Sequence, residues 1–113
     1  MNLTAHPTEI ASTLLERSIC SVQVAAVLQD AWGVYSWGWN SSGPDGLGEH
    51  AEQHCLRRAN RRRVGGSTMY IAAIRRRNGR IVTAKPCPEC LQAIRNRGLF
   101  VIYRDGGGKW QIL

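Results

Sequence analysis

The chain has 113 residues, 43% of them hydrophobic: enough for one core, too few for two, and too apolar for a disordered chain. Fifteen Lys and Arg stand against eight Asp and Glu, a net charge of +7, which favours a polyanionic or phosphate-bearing partner without establishing one. The longest apolar run, Val24 to Leu28, is far short of the ~18 residues of a membrane span, and Met1 to Ile10 shows neither the basic nor the apolar part of a secretory leader. One domain over 1–113 is therefore expected, in a reduced, cytoplasmic setting, with Cys20, Cys55, Cys87 and Cys90 as thiols rather than disulfides.

Residues 7–19 read as a helix, with Pro7 suited to a first helical position and Ile10, Leu14 and Leu15 on one stripe. Val22 to Gln29 and Val34 to Asn40 read as a hairpin of strands turning at Asp30 to Gly33. The second strand alternates Tyr35, Trp37 and Trp39 against Val34, Ser36 and Gly38. Its aromatic face reads as core packing rather than as a stacking platform for bases. The Gly-rich stretch 41–48 is a loop, and Glu49 to Arg61 a helix. Thr68 to Ile74 and Arg80 to Ala84 read as strands around Asn78-Gly79, a two-residue hairpin signal. Pro88 to Asn96 is a short helix closed by Gly98. Leu99 to Tyr103 and Lys109 to Leu113 are strands, and only Asp105 to Gly108 joins them, too short for a parallel crossover, so the last two strands are antiparallel.

Two motifs carry chemistry. His50-Ala51-Glu52 opens one helix; Pro86-Cys87-Pro88-Glu89-Cys90 opens another. A catalytic zinc takes three protein ligands and keeps one position for water, and His50, Cys87 and Cys90 supply that count, for one Zn2+ per chain. A helix start favours thiolate, the metal-binding form, at Cys87 and Cys90. Glu52 is then the proton carrier beside the metal. Residues i and i+2 do not face the same way inside a helix, so His50 must lie in the first turn, where a rotamer can turn it back toward the metal. His54, one turn on, is a rival fourth ligand, but its better reading is a packed or hydrogen-bonded side chain. Cys20 and Cys55 read as small buried residues.

Together the motifs form the H-x-E…P-C-x-x-C pattern of zinc-dependent nucleobase deaminases. The chain resembles the cytidine deaminase-like superfamily over about Val22 to Leu113. The resemblance implies an α/β fold of three layers, α-β-α, around a five-stranded mixed sheet. The antiparallel ending is similar to the cytidine deaminase and toxin-deaminase branch; tRNA adenosine deaminases and APOBEC enzymes place a helix between those strands. Gly38-Trp39-Asn40 resembles a Gly-Trp-Asn whose Asn contacts the nucleoside in some members, which implies Asn40 as a substrate-binding candidate beside Ala51 and Pro86 of the two motifs. An Asn that merely caps a strand end is the alternative.

The implied reaction is hydrolytic deamination of cytosine to uracil, on a cytidine or deoxycytidine nucleoside or nucleotide. Single-stranded DNA or RNA is the alternative carrier, and an inactive zinc-holding binding module a third reading. Relatives imply a possible homo-oligomer. Arg57, Arg58 and Arg61 to Arg63 crowd the end of the first motif helix, Arg75 to Arg77 a turn, and Arg95 and Arg97 the end of the second. Lying at the far ends of the metal-binding helices, these clusters are expected to be solvated surface, with phosphate contact as the sharper alternative.

Overall fold

The computed structural model describes residues 4–42 and 48–113; most of the predicted Gly-rich loop, 43–47, lies outside them. Helix α1 (Pro7–Leu14) begins at His6, whose Nδ1 accepts from the Thr8 N–H. It tightens into a single 3-10 turn over Leu15–Arg17, ending two residues before the predicted helix does. Strands β1 (Val22–Asp30) and β2 (Gly33–Trp39) follow as an antiparallel hairpin. Helix α2 (Ala51–Arg58), a short α3 (Arg61–Val64), strand β3 (Thr68–Arg75), helix α4 (Pro88–Asn96), β4 (Phe100–Arg104) and β5 (Trp110–Ile112) complete the order.

The sheet runs β2-β1-β3-β4-β5. β1 is antiparallel to both β2 and β3, β3 and β4 are parallel, and β4 and β5 are antiparallel. The expected five-stranded mixed sheet with an antiparallel ending is therefore the fold. Helix α1 covers one face, where Ile10, Ala11, Leu14 and Leu15 pack on Ala25, Val27 and Ala72. Helices α2 and α4 cover the other, where Ala51, Cys55 and Ile94 pack on Ala26, Leu28, Met69 and Ile71. Each large apolar side chain buried there contributes roughly 1.5–3 kcal/mol. Among the described residues no helix is long and apolar enough to cross a membrane.

Three sequence expectations change. Arg80 to Ala84 is extended but is not a sixth strand, and only an isolated bridge links Ile74 and Ile81. Its N–H groups go to two strands in turn: Val82 donates to the Ala73 carbonyl on β3, Ala84 to the Arg104 carbonyl on β4. With its few bonds split along its length between β3 and β4, the segment has no run long enough to make a ladder with either. The strict alternation of β2 also fails. Leu28 pairs with Ser36 but Gln29 with Val34, so Tyr35 is a bulge. Tyr35 packs with the α2 side, Trp37 with the α1 side. The residues of β2 that meet α2 directly are Ser36, whose Oγ donates to the Cys55 carbonyl at 2.7 Å, and Gly38. The predicted helix 49–61 is interrupted at Ala59, in extended conformation, and restarts at Asn60, whose side chain accepts from the Arg62 N–H.

A Cβ at Gly38 would stand 2.5 Å from the Cys55 backbone nitrogen, so α2 lies on β2 with backbone against backbone. Arg63 ties α3 to the end of β1, its Nε and Nη2 donating to the two Asp30 oxygens at 2.6 and 2.7 Å. That hydrogen bonding holds the Asp30 carboxyl below the usual carboxylate range.

Gly38→Ala should therefore push α2 off the sheet at a cost of about 1–3 kcal/mol, seen as a lower midpoint in chemical denaturation; an unchanged midpoint would mean the helix is free to shift. The Asp30–Arg63 pair makes a second, pH-dependent prediction. Because Asp30 has a lower pKa folded than unfolded, its stabilisation is present above the unfolded value, ~3.9, and disappears as pH falls through the folded one. Asp30→Asn should lower the denaturation midpoint near neutral pH, and the gap to wild type should close in acid.

Candidate active site

Both motif helices begin at the same end of the sheet. Gly48 and Glu49 bring the chain into α2: Ser41 and Glu49 exchange backbone hydrogen bonds of 3.0 Å, and a Cβ on Gly48 would meet the Ser41 carbonyl oxygen at 2.2 Å. Arg57 reaches back along the helix to grip Glu49 with two bonds of 2.9 Å. His50 follows as the N-cap residue, extended at φ −70 and ψ 153, with its N–H donating to Gln53 Oε1. Because His50 lies outside the helical turn, its ring and the Glu52 side chain can converge, which two residues within one helix could not do.

Cys87 is the N-cap of α4, Pro88 its first residue, and Cys90 its third. His50 Nδ1 lies 3.1 Å from Cys90 Sγ and 4.0 Å from Cys87 Sγ, and the three ligand atoms all fall within 4.8 Å of one another. Around a tetrahedral zinc with ordinary Zn–N and Zn–S bonds, neighbouring ligand atoms stand about 3.5–3.8 Å apart. The donor set fits that ion in number and chemistry, one imidazole and two thiols at helix starts. Among the described residues no fourth His, Cys, Asp or Glu joins the group.

Glu52 is 6% exposed, and burial pushes its carboxyl up, against the opposing pull of His50 and a hydrogen bond with Cys90. Burial, and after it the Glu52 charge, push the Cys90 thiol up as well. Two thiols and a carboxyl gathered at one point are an arrangement that a cation stabilises. Cys55, fully buried, has its thiol pushed up to about 12 by burial and is an inert packing group. His54 is turned away from the group. Its Nδ1 lies against the Trp39 N–H and carbonyl, and its ring packs edge-on to Trp39 at 4.8 Å.

The group opens into a cavity of about 220 Å³ lined by His50, Ala51, Glu52 and Cys87, with Asn40 beside them. The Asn40 amide is fixed by backbone: Oδ1 accepts from the Val24 N–H at 2.9 Å and Nδ2 donates to the Val22 carbonyl at 2.8 Å. Ser18 Oγ also donates to Oδ1, at 2.6 Å. These bonds use one of the two amide N–H groups. Pro86 is buried and is not part of the cavity lining. The rest of the lining comes from Val22, Val24 and Ala73, and from Thr83 and Ala84, the end of the stretch read from sequence as a strand, with Lys85 after them. Their position just before Cys87 was the available signal, since residues adjoining a ligand lie beside its site.

The arginines divide by location. Arg57 and Arg63 are ion-paired to Glu49 and Asp30, and Arg58 and Arg63 lie over Trp37 and Tyr35 at 5.3 and 4.2 Å. Arg75 to Arg77, however, do not lie at a far end. They leave β3 at its C-terminus, the end that carries the cavity.

Residues 3–103 match the family described as the cytidine and deoxycytidylate deaminase zinc-binding region. The chain belongs to this family. It is thus a zinc-dependent deaminase, a hydrolase, and the fold agrees with solved members. A cytidine deaminase from Burkholderia pseudomallei is 21% identical, with a TM-score of 0.72 over 100% of this chain and 92% of its own. A dCMP deaminase from the cyanophage S-TIM5, in apo form, is 22% identical, with a TM-score of 0.65 over 88% and 79%. A cytidine deaminase from Mycobacterium leprae is 18% identical, with a TM-score of 0.65 over 93% and 88%. No curated protein sequence matches the chain.

Replacing a candidate ligand tests whether this group is the metal centre. Cys87→Ala or Cys90→Ala should weaken zinc binding by more than the ~10–100-fold typical of an outer-shell change, measured as zinc per chain after dialysis against a chelator. Full retention of zinc in either variant would remove that cysteine from the ligand set.

Proposed function

We propose that the protein removes the amino group of cytosine hydrolytically, giving uracil and ammonia, from a base carried on ribose or deoxyribose. The observation that carries this reading is the buried Glu52 carboxyl set against the His50, Cys87 and Cys90 group at the bottom of a cavity that also presents Asn40.

His50, Cys87 and Cys90 would hold the zinc, with Cys90 buried and Cys87 at the cavity wall. When bound, zinc supplies Lewis acidity, making water a competent nucleophile near neutral pH. The remaining work falls to the chain. Glu52 takes a proton from the attacking water as the C4–O bond forms, and passes it to the ring nitrogen N3. It then takes the remaining hydroxyl proton and delivers it to the amino group, which leaves as ammonia as the C4–N bond breaks. One carboxyl serves each transfer because it is held between the water and both nitrogens. Its second-residue position in α2 and its burial between two helix starts fix it there. Asn40, immobilised by Ser18, Val22 and Val24, offers its remaining N–H to the sugar. Ala51, fully buried and on the cavity wall, limits the space beside the base.

Zinc-loaded protein incubated with cytidine, deoxycytidine, their monophosphates and cytosine-containing single strands should form uracil from at least one of them. Failure on all would overturn the reading. Glu52→Ala should keep its zinc and lose at least the roughly 10²–10⁴-fold supplied by a positioned acid–base group; near-wild-type turnover would take Glu52 out of the reaction.

A further inference from the structure

The deaminase cavity is the first of three that adjoin. Across the β1–β3 ladder Val24 is opposite Ala73 and Val22 is opposite Arg75. Residues two apart share a face of a sheet, so these four side chains form one patch. Val22, Val24 and Ala73 line the deaminase cavity. Arg75, the fourth, lines a second cavity of about 620 Å³ with Ser21, Val22, Arg76 and Arg77. Val22 therefore borders both. A third cavity, about 290 Å³, contains Arg75 again, with Arg80 and Asn78. The second cavity begins two residues along β3 from Ala73, about 7 Å, a span that one sugar can bridge. Asn40 is fastened to the Val22 carbonyl at this boundary.

The residues lining the second and third cavities include no carboxylate. The ion pairs among the described residues engage Arg57 and Arg63 instead. Arg76 is anchored, its Nη1 donating to the Ile19 carbonyl and its backbone N–H to Ser21. Guanidinium groups match phosphate oxygens with paired donors, and four in succession along open cavities exceed the needs of one terminal phosphate.

We propose that Arg75, Arg76, Arg77 and Arg80 form a phosphate track, and that the cytosine entering the deaminase cavity belongs to a single-stranded nucleic acid. The proposal rests on the deaminase reading above and names its substrate class. The target base is splayed into the zinc cavity while the phosphodiesters next to it run across Val22 onto the arginines. Because arginines make up most of the track, its hold on the strand is chiefly electrostatic and weakens with salt.

The test compares wild type with Arg75→Gln/Arg77→Gln/Arg80→Gln, and with the corresponding triple Lys variant, which keeps the charge. Substrates are a cytosine-containing oligonucleotide, dCMP, CMP and cytidine. The strand should be turned over with kcat/KM roughly tenfold or more above the others, and the Gln variant should lose most of that advantage while its cytidine turnover stays unchanged. The Lys variant should recover it. Binding of the oligonucleotide to zinc-loaded Glu52→Ala protein should weaken steeply with salt, and adding the three Gln substitutions should flatten the slope of log K against log salt by about 2, at ~0.7 per lost contact. Turnover of cytidine or the monophosphates equal to that of the strand would overturn the proposal, as would equal losses on all four substrates. If no substrate is turned over, the deaminase reading fails separately; salt-dependent strand binding sensitive to the Gln substitutions would still establish the track, and its absence would overturn it.

Discussion

The structure depends on how closely α2 lies against β2. At Gly38 the two backbones leave no room for a Cβ, and Ser36 hydrogen-bonds the Cys55 carbonyl across the same contact. A helix held by its own backbone cannot slide or roll by a side chain's width. Its first residues, His50 to Glu52, are thereby placed relative to the sheet, and Arg57 carries the constraint back to Glu49. Position at the site is thus inherited from packing in the middle of the helix. A glycine in a strand usually weakens it; here the loss is offset by the registration of a ligand-bearing helix.

Opposing this helix start is the start of α4. The two bring His50, Cys87 and Cys90 together, and both direct the positive end of a helix dipole toward the same volume. That field favours the thiolates and the carboxylate which burial alone disfavours at Cys90 and Glu52. The site is therefore a place where charged forms are held against desolvation by helix termini and completed by a cation. The same terms that make the group costly in the protein alone make it selective for a metal with thiolate affinity.

Much of this was legible in the sequence because it is local. Helix starts, the two motifs and the Asp105 to Gly108 turn are set by neighbours in the chain, and that turn alone requires β4 and β5 to be antiparallel. What was not legible comes from contacts distant in sequence. Arg80 to Ala84 has the composition of a strand, yet it divides its hydrogen bonds between Ala73 and Arg104 and becomes a cavity wall. Tyr35 follows an alternating pattern, but a bulge sends it to the other face. Asn40 was suspected through a resemblance; its fixing by Ser18, Val22 and Val24 needs the hairpin and the 3-10 turn to have formed.

The arginines show why composition is a poor guide until charges are located. A net charge of +7 treats every guanidinium alike. In the folded protein Arg63 is ion-paired to Asp30 and lies 4.2 Å over Tyr35, Arg57 holds the entry to α2, and Arg58 lies over Trp37. These act on the protein itself, and their removal would be felt as instability. Arg75, Arg77 and Arg80 are exposed, border open cavities, and pair with no carboxylate among the described residues. Like charges gathered without a counter-charge raise the energy of the free protein, a cost an incoming polyanion removes. Their position is what gives that charge meaning. On the sheet face shared with Val24 and Ala73, that uncompensated charge begins two residues from the cavity that holds the Glu52 carboxyl.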